Sequence, residues 1–329
     1  MVTCSDFITI SYSSDLTQAG IAYGLHSLPY SYPQAYEDTL QRLRRLVASK
    51  GVELAFKRYL IAQEIPHKVW GTINFTKPED CNLELGGLKC VLTTAFISNK
   101  GLIRKVHQSS DTLSPVQVAI PSEQVPGLSL ARKNIYVFAF LTALTANTRQ
   151  RVDQALKAGQ DTCLVHSLPF DKFHPKQWSS FGEVSLKCDT SEHISVTLGG
   201  QNSNQEFQTE HLVISPRKRI ITSTEFYSLC YLMVKKWPDG VVGIHSPLWG
   251  KPYLISPSQW ANIWVYGMKI IFVGYLPGES FIRKAQRLPG GQYIFSGRKI
   301  RVENLVLQVR DLRPLQELFC RTREWAREM

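Results

Sequence analysis

The chain has 329 residues, 43% of them hydrophobic and 20% charged, with 38 Lys and Arg against 27 Asp and Glu for a formal net charge of +11. That length suits one large domain or two average ones with a substantial core, and no segment is polar enough to read as disordered. The cationic surplus points to a polyanionic partner, because neutralising phosphates releases counterions; the plain alternative is a basic surface kept for solubility. The seven cysteines are scattered and never form C-x-x-C, which argues against a disulfide framework or structural zinc and for a reducing, cytoplasmic compartment. The opening Met1-Val2-Thr3-Cys4-Ser5-Asp6 lacks signal-peptide character, and no apolar run reaches the roughly 18–20 residues of a membrane helix, so no membrane partner is expected.

In chain order, residues 1–36 read as irregular or strand-like. Leu40, Leu43, Leu46, Val47, Leu54, Phe56 and Leu60 recur at helical spacing over 36–63, with Gly51 expected to kink the helix and Pro66 to end it. A strand is expected over 68–75, a turn over 77–80, and a hairpin of 83–85 and 89–97 around Gly86-Gly87. Residues 111–124 read as loop. The apolar run 134–141 predicts a strand buried on both faces, 148–158 a helix closed by Gly159, and 163–166 a short buried strand stopped by Pro169. Beyond residue 170 come six of the seven tryptophans: Trp178, Trp237, Trp249, Trp260, Trp264 and Trp325. Strands are expected at 182–188, 193–198, 211–214, 241–245, 268–273, 292–295 and 305–309, with helices at 223–236, 278–287 and 312–328. The aromatic stretch 260–268 reads as core, with a docking surface as the alternative. The expected organisation is therefore an α/β region over 1–170, with a mixed sheet flanked by helices, and a β-rich α+β region over 171–329.

The order of helix, strand and hairpin between Glu53 and Thr94, followed by the strand near 135–141 and the helix 148–158, resembles the PD-(D/E)XK, restriction-endonuclease-like nucleases over roughly residues 40–170. The resemblance implies a site in which a helix Glu, a strand Asp and a D/E-x-K pair hold divalent cations beside a water-activating lysine. Glu53 matches the helix acid. Alignment on Gly86-Gly87 puts Asn82 at the first Asp, Val91 at the second acid and Thr93 at the lysine. Asn offers a neutral oxygen, Val no ligand and Thr no charge, so the resemblance implies a silent site with no metal and no cofactor. A second alignment keeps a live, Mg²⁺-dependent DNA endonuclease with Glu53, Asp80, Glu84 and Lys89. Against it, Glu84 and Lys89 read as a cross-strand pair and Glu53 as an i,i+4 partner of Lys57. His166, His174, His193, His211 and His245 show no ligand spacing, and neither a G-x-S-x-G elbow nor a Walker-type loop is present.

Basic clusters supply the candidate nucleic-acid contacts: Arg42, Arg45 and Lys57 on the first long helix, Arg217, Lys218 and Arg219 in a loop, Arg283 and Lys284 on a later helix, and Arg298 and Lys299 beside a hairpin. The expected function is a nucleic-acid-binding (DNA) or assembly subunit on an inactive nuclease-like core, in a defence, restriction or mobile-element setting. Two alternatives stay open: the active endonuclease, and a protein-interaction subunit that touches no nucleic acid.

Overall fold

The computed structural model describes residues 2–30, 39–70, 75, 81–125, 127–294 and 300–328. The chain is mixed α/β and its contacts divide into two compact units. The first holds Met1–Gly20, Ala48–Leu144 and Val265–Met329, and the second Ile21–Val47 and Thr145–Trp264. The expected boundary near residue 170 therefore falls inside the second unit. The physical reason is long-range strand pairing: the strand Val265–Pro277 joins the same sheet as strands from the first 145 residues.

That sheet has six strands in the order Ile8–Ser11, Val265–Pro277, Asn134–Thr145, Leu88–Ile97, Leu83–Leu85 and Lys68–Val69. Leu83–Leu85 and Leu88–Ile97 form the expected antiparallel hairpin, with Glu84 opposite Lys89 and Leu85 opposite Leu88. Gly86 and Gly87 have φ of 55° and 73°, the left-handed values that a two-residue turn matching strand twist demands. Leu88–Ile97 then runs parallel to Asn134–Thr145 from Lys89↔Asn134 to Ile97↔Thr142. A parallel return needs a crossover, and the helix Lys100–Gln108 lies in it. Asn99 caps that helix, its side chain accepting from Leu102 N at 3.0 Å. Ile103 and Val106 enter a core with Tyr136, Phe138, Phe140 and Ile271.

The helix Thr39–Ala62 is continuous, so Gly51 does not divide it. A Cβ at Gly51 would lie 2.4 Å from Tyr12 Oη, so a larger residue here would have to displace the Tyr12 ring. In the first unit, Val52, Ala55, Phe56 and Leu60 of this helix are buried, and the Phe56 ring lies 4.9 Å from that of Phe272. Residues 111–124 are not all loop: Gln117–Pro121 is the edge of a three-stranded sheet with Asn304–Gln308 and Gln286–Leu288. Its alternating buried pattern was masked by two prolines.

The second unit is β-rich. One sheet runs Phe207–Ile214, Ile194–Gln201, Ser228–Val234, Leu164–Ser167, Ala261–Asn262, and another Arg219–Ile221, Ser185–Cys188, Val242–His245, Tyr253–Ile255. The expected helix 223–236 is instead the central strand Ser228–Val234, bonded antiparallel to Ile194–Gln201 and to Leu164–Ser167. The six-residue apolar run 229–234 fits either a buried strand or a buried helix, and only its neighbours decide. Trp260, Ile263 and Trp264 are buried, so the aromatic stretch is core. The expected strand 68–75 is described only at Lys68–Val69, the 77–80 turn lies outside the described residues, and so does part of 292–295.

Candidate functional site

Helical spacing brings Lys50, Glu53 and Lys57 onto one stripe of Thr39–Ala62. Glu53 is buried at 8% exposure. Its Oε2 accepts from Lys50 Nζ at 2.8 Å and its Oε1 from Lys57 Nζ at 2.6 Å. Lys57 Nζ also donates to Asn82 Oδ1 at 2.5 Å, so the ammonium bridges the helix acid and the residue just before the strand Leu83–Leu85. Asn82 in turn donates through Nδ2 to Trp70 O at 3.2 Å, and Trp70 N donates to Asn82 O at 3.0 Å.

Burial alone would raise the Glu53 carboxyl, but the two adjacent ammoniums and their hydrogen bonds outweigh it and hold the group below the ordinary carboxylate range. Cys90 lies within the same field. Its thiol is pushed far up by the neighbouring Cys81 thiol, by burial and by the Glu53 charge, so it stays protonated and unreactive.

The position assigned to the second acid is not in this group. Val91 packs against the core of Ile103, Val106 and Phe138. Successive residues of a strand face opposite sides, so Val91 and Thr93 lie on the face away from Cys90. Glu84 stands opposite Lys89 in the hairpin, as a cross-strand pair would. Asp80 lies outside the described residues. Of the residues expected at the site, Glu53 and Asn82 are thus brought together, and Lys57 joins them.

A hard divalent cation needs several oxygens, carboxylates foremost. Here the one buried carboxylate is taken up by two ammoniums, and the second oxygen, Asn82 Oδ1, is neutral and also taken. Among the described residues, no group of three or more His, Cys, Asp or Glu side chains could hold a metal ion.

The basic candidates divide by burial. Lys57, expected to contact nucleic acid, is 19% exposed, and two of its three ammonium donors are engaged, with Glu53 and Asn82. Arg42 lines a cavity in the second unit, and Arg45 is exposed. Arg217, Lys218 and Arg219 are exposed. Arg217 has φ of 60°, and Arg219 begins an edge strand rather than lying in a loop. The only described carboxylate paired with Arg217 is Asp189, at 3.9 Å. Arg283 pairs with Glu279, and Lys284 is exposed on the same helix, Gly278–Lys284. Arg298 and Lys299 lie outside the described residues.

No protein-family model matches the chain, and no curated protein or solved structure is significantly similar to it. No helix among the described residues is long and apolar enough to cross a membrane.

Proposed function

We propose that the protein is a nucleic-acid-binding or assembly subunit built on a PD-(D/E)XK-like core that does not cleave. The order helix, strand, hairpin, crossover helix and parallel strand supports the likeness, since it aims a helix acid and a hairpin end at one point. The observation that carries the reading is the Lys57 ammonium between Glu53 and Asn82. In a live site of this type, a divalent cation would sit between those two residues. Here a fixed side-chain cation fills that role, neutralising the helix acid without bringing a polarised water. The net charge of +11 and the exposed Arg217-Lys218-Arg219 run supply the polyanion-binding half of the proposal, and a defence, restriction or mobile-element complex is the setting it suits.

The test is duplex and single-stranded DNA binding at several salt concentrations, with cleavage assayed in Mg²⁺ and Mn²⁺. The expected result is binding whose logarithm falls linearly with log salt, and no cleavage. Replacing Arg217, Lys218 and Arg219 with alanine should flatten that salt slope by roughly one to three units. Metal-dependent cleavage that disappears in Glu53→Ala would sink the silent-core reading. Absence of any DNA or RNA affinity at low salt would sink the nucleic-acid half.

A further inference from the structure

The helix Lys100–Gln108 buries Ile103 and Val106, and helical spacing leaves Lys100, Arg104, His107 and Gln108 along one stripe beside them. With Ile103, that stripe lines an open groove of about 410 Å³ in the first unit. Leu144, near the end of the strand Asn134–Thr145, and Met268, from Val265–Pro277, complete the lining.

The groove is built before any ligand arrives. His107 Nε2 lies 3.0 Å from Thr142 Oγ1, which accepts from Lys269 N at 3.1 Å and donates to Lys269 O at 3.2 Å. One threonine hydroxyl thus ties the helix to both strands. Lys269 is exposed next to Met268, and its charge is felt at His107. Burial first, and then Lys269, lowers the affinity of that imidazole for protons.

Carboxylates are what the groove lacks. No Asp or Glu is among its described lining residues, and the three stretches that build it, 85–110, 124–152 and 240–278, contain none. Lys100 and Arg104 stand four residues apart on a helix, where like charges repel. Elsewhere that spacing is answered by an acid: Arg283 has Glu279, and Arg313 and Arg321 share Glu317. Among the described residues, no carboxylate pairs with Lys100, Arg104 or Lys269. Uncompensated cations call for an anion from outside the chain. The apolar lining of Ile103, Leu144 and Met268 calls for a flat apolar face beside that anion, and a thioether makes favourable contact with aromatic rings. A phosphate joined to an unpaired base meets both demands, whereas a duplex keeps its bases stacked inside.

We propose that this groove holds a nucleotide of a single-stranded nucleic acid, its flanking phosphates drawn by Lys100, Arg104 and Lys269 and its base laid on Leu144 and Met268. The inference rests on the nucleic-acid half of the proposed function and gives it a site in the first unit, apart from Arg217, Lys218 and Arg219.

The test uses the full chain with fluorescein-labelled oligothymidylate, alone and as its duplex with oligoadenylate, read by anisotropy over a salt series. The single strand should bind more tightly, and adding it should shift the His107 ring resonances. Lys100→Gln with Arg104→Gln should weaken single-strand binding roughly tenfold at low salt and flatten its salt slope by about 0.7–1.4 units, the release from one or two phosphates. Both side chains are exposed, so the unfolding midpoint of that variant should match wild type. A strand carrying 4-thiothymidine should crosslink, under light, to the segment that contains Met268. Wild-type affinity and salt slope in the double variant would overturn the site while leaving the nucleic-acid reading intact through Arg217, Lys218 and Arg219. Duplex bound as tightly as single strand would overturn the assignment to an unpaired base, and no binding of either form would overturn the site and the nucleic-acid reading together.

Discussion

Glu53 and Glu317 carry the same local pattern in different surroundings. Each is a helix carboxylate between two cations, with Lys50 and Lys57 around Glu53 and Arg313 and Arg321 around Glu317. Glu53's side chain is 10% exposed and its partners 11% and 19%; Glu317's is 37% exposed and its partners 37% and 58%. At the surface, water screens the charges and already solvates them, so such pairs contribute about 0–1 kcal/mol. Under cover of the sheet the charges have lost water, and each now depends on the others. An i,i+4 pair read from sequence has no fixed value until its surroundings are known.

Four measurements press on that contrast, ordered by expected size. Glu53→Gln leaves two poorly solvated ammoniums facing a neutral group and should lower the unfolding free energy by about 3 kcal/mol. A chemical-denaturation midpoint unchanged from wild type would break the contrast. Lys57→Met keeps the stem's packing but strips Asn82 Oδ1 of its donor and Glu53 of one cation, and should cost about 1–3 kcal/mol. In a double-mutant cycle, Glu53→Gln with Lys57→Met should recover part of the summed loss; simple additivity would mean the bond carries no coupling.

The third measurement is the acid limb of stability. The Glu53 carboxyl sits below its ordinary value when folded, so its contribution is fully present above the unfolded value near ~4.3 and disappears as pH falls through the folded one. Wild type should therefore lose more stability than Glu53→Gln across that window, and parallel curves would show that Glu53 is not held ionised. The smallest effect belongs to Glu317→Gln, at most about 0.5 kcal/mol and shrinking further in high salt. A loss as large as that of Glu53→Gln would erase the distinction between the two clusters.

The basic groove draws the same line between pattern and surroundings. Lys100, Leu144 and Met268 belong to no motif and lie far apart in sequence, and nothing in their neighbours marks them as members of one groove. The Arg217-Lys218-Arg219 run was legible as charge, but the left-handed backbone at Arg217 and the strand beginning at Arg219 were not.

Local signals carried a good part of the first unit. Helical periodicity gave Thr39–Ala62, Gly86-Gly87 gave the hairpin, and the apolar run gave the strand Asn134–Thr145, because each depends on interactions within a few residues. The i,i+4 pairing of Glu53 with Lys57 was legible for the same reason. Tertiary structure decided the rest. It made Ser228–Val234 a strand by flanking it with two others, and brought Val265–Pro277 into a sheet begun at Ile8. It also turned Cys90 rather than Val91 towards Glu53, and closed Lys57 onto Asn82, 25 residues away. Each of these outcomes depends on which distant segment supplies the covering surface or the bonding partner, and short-range spacing carries no information about that.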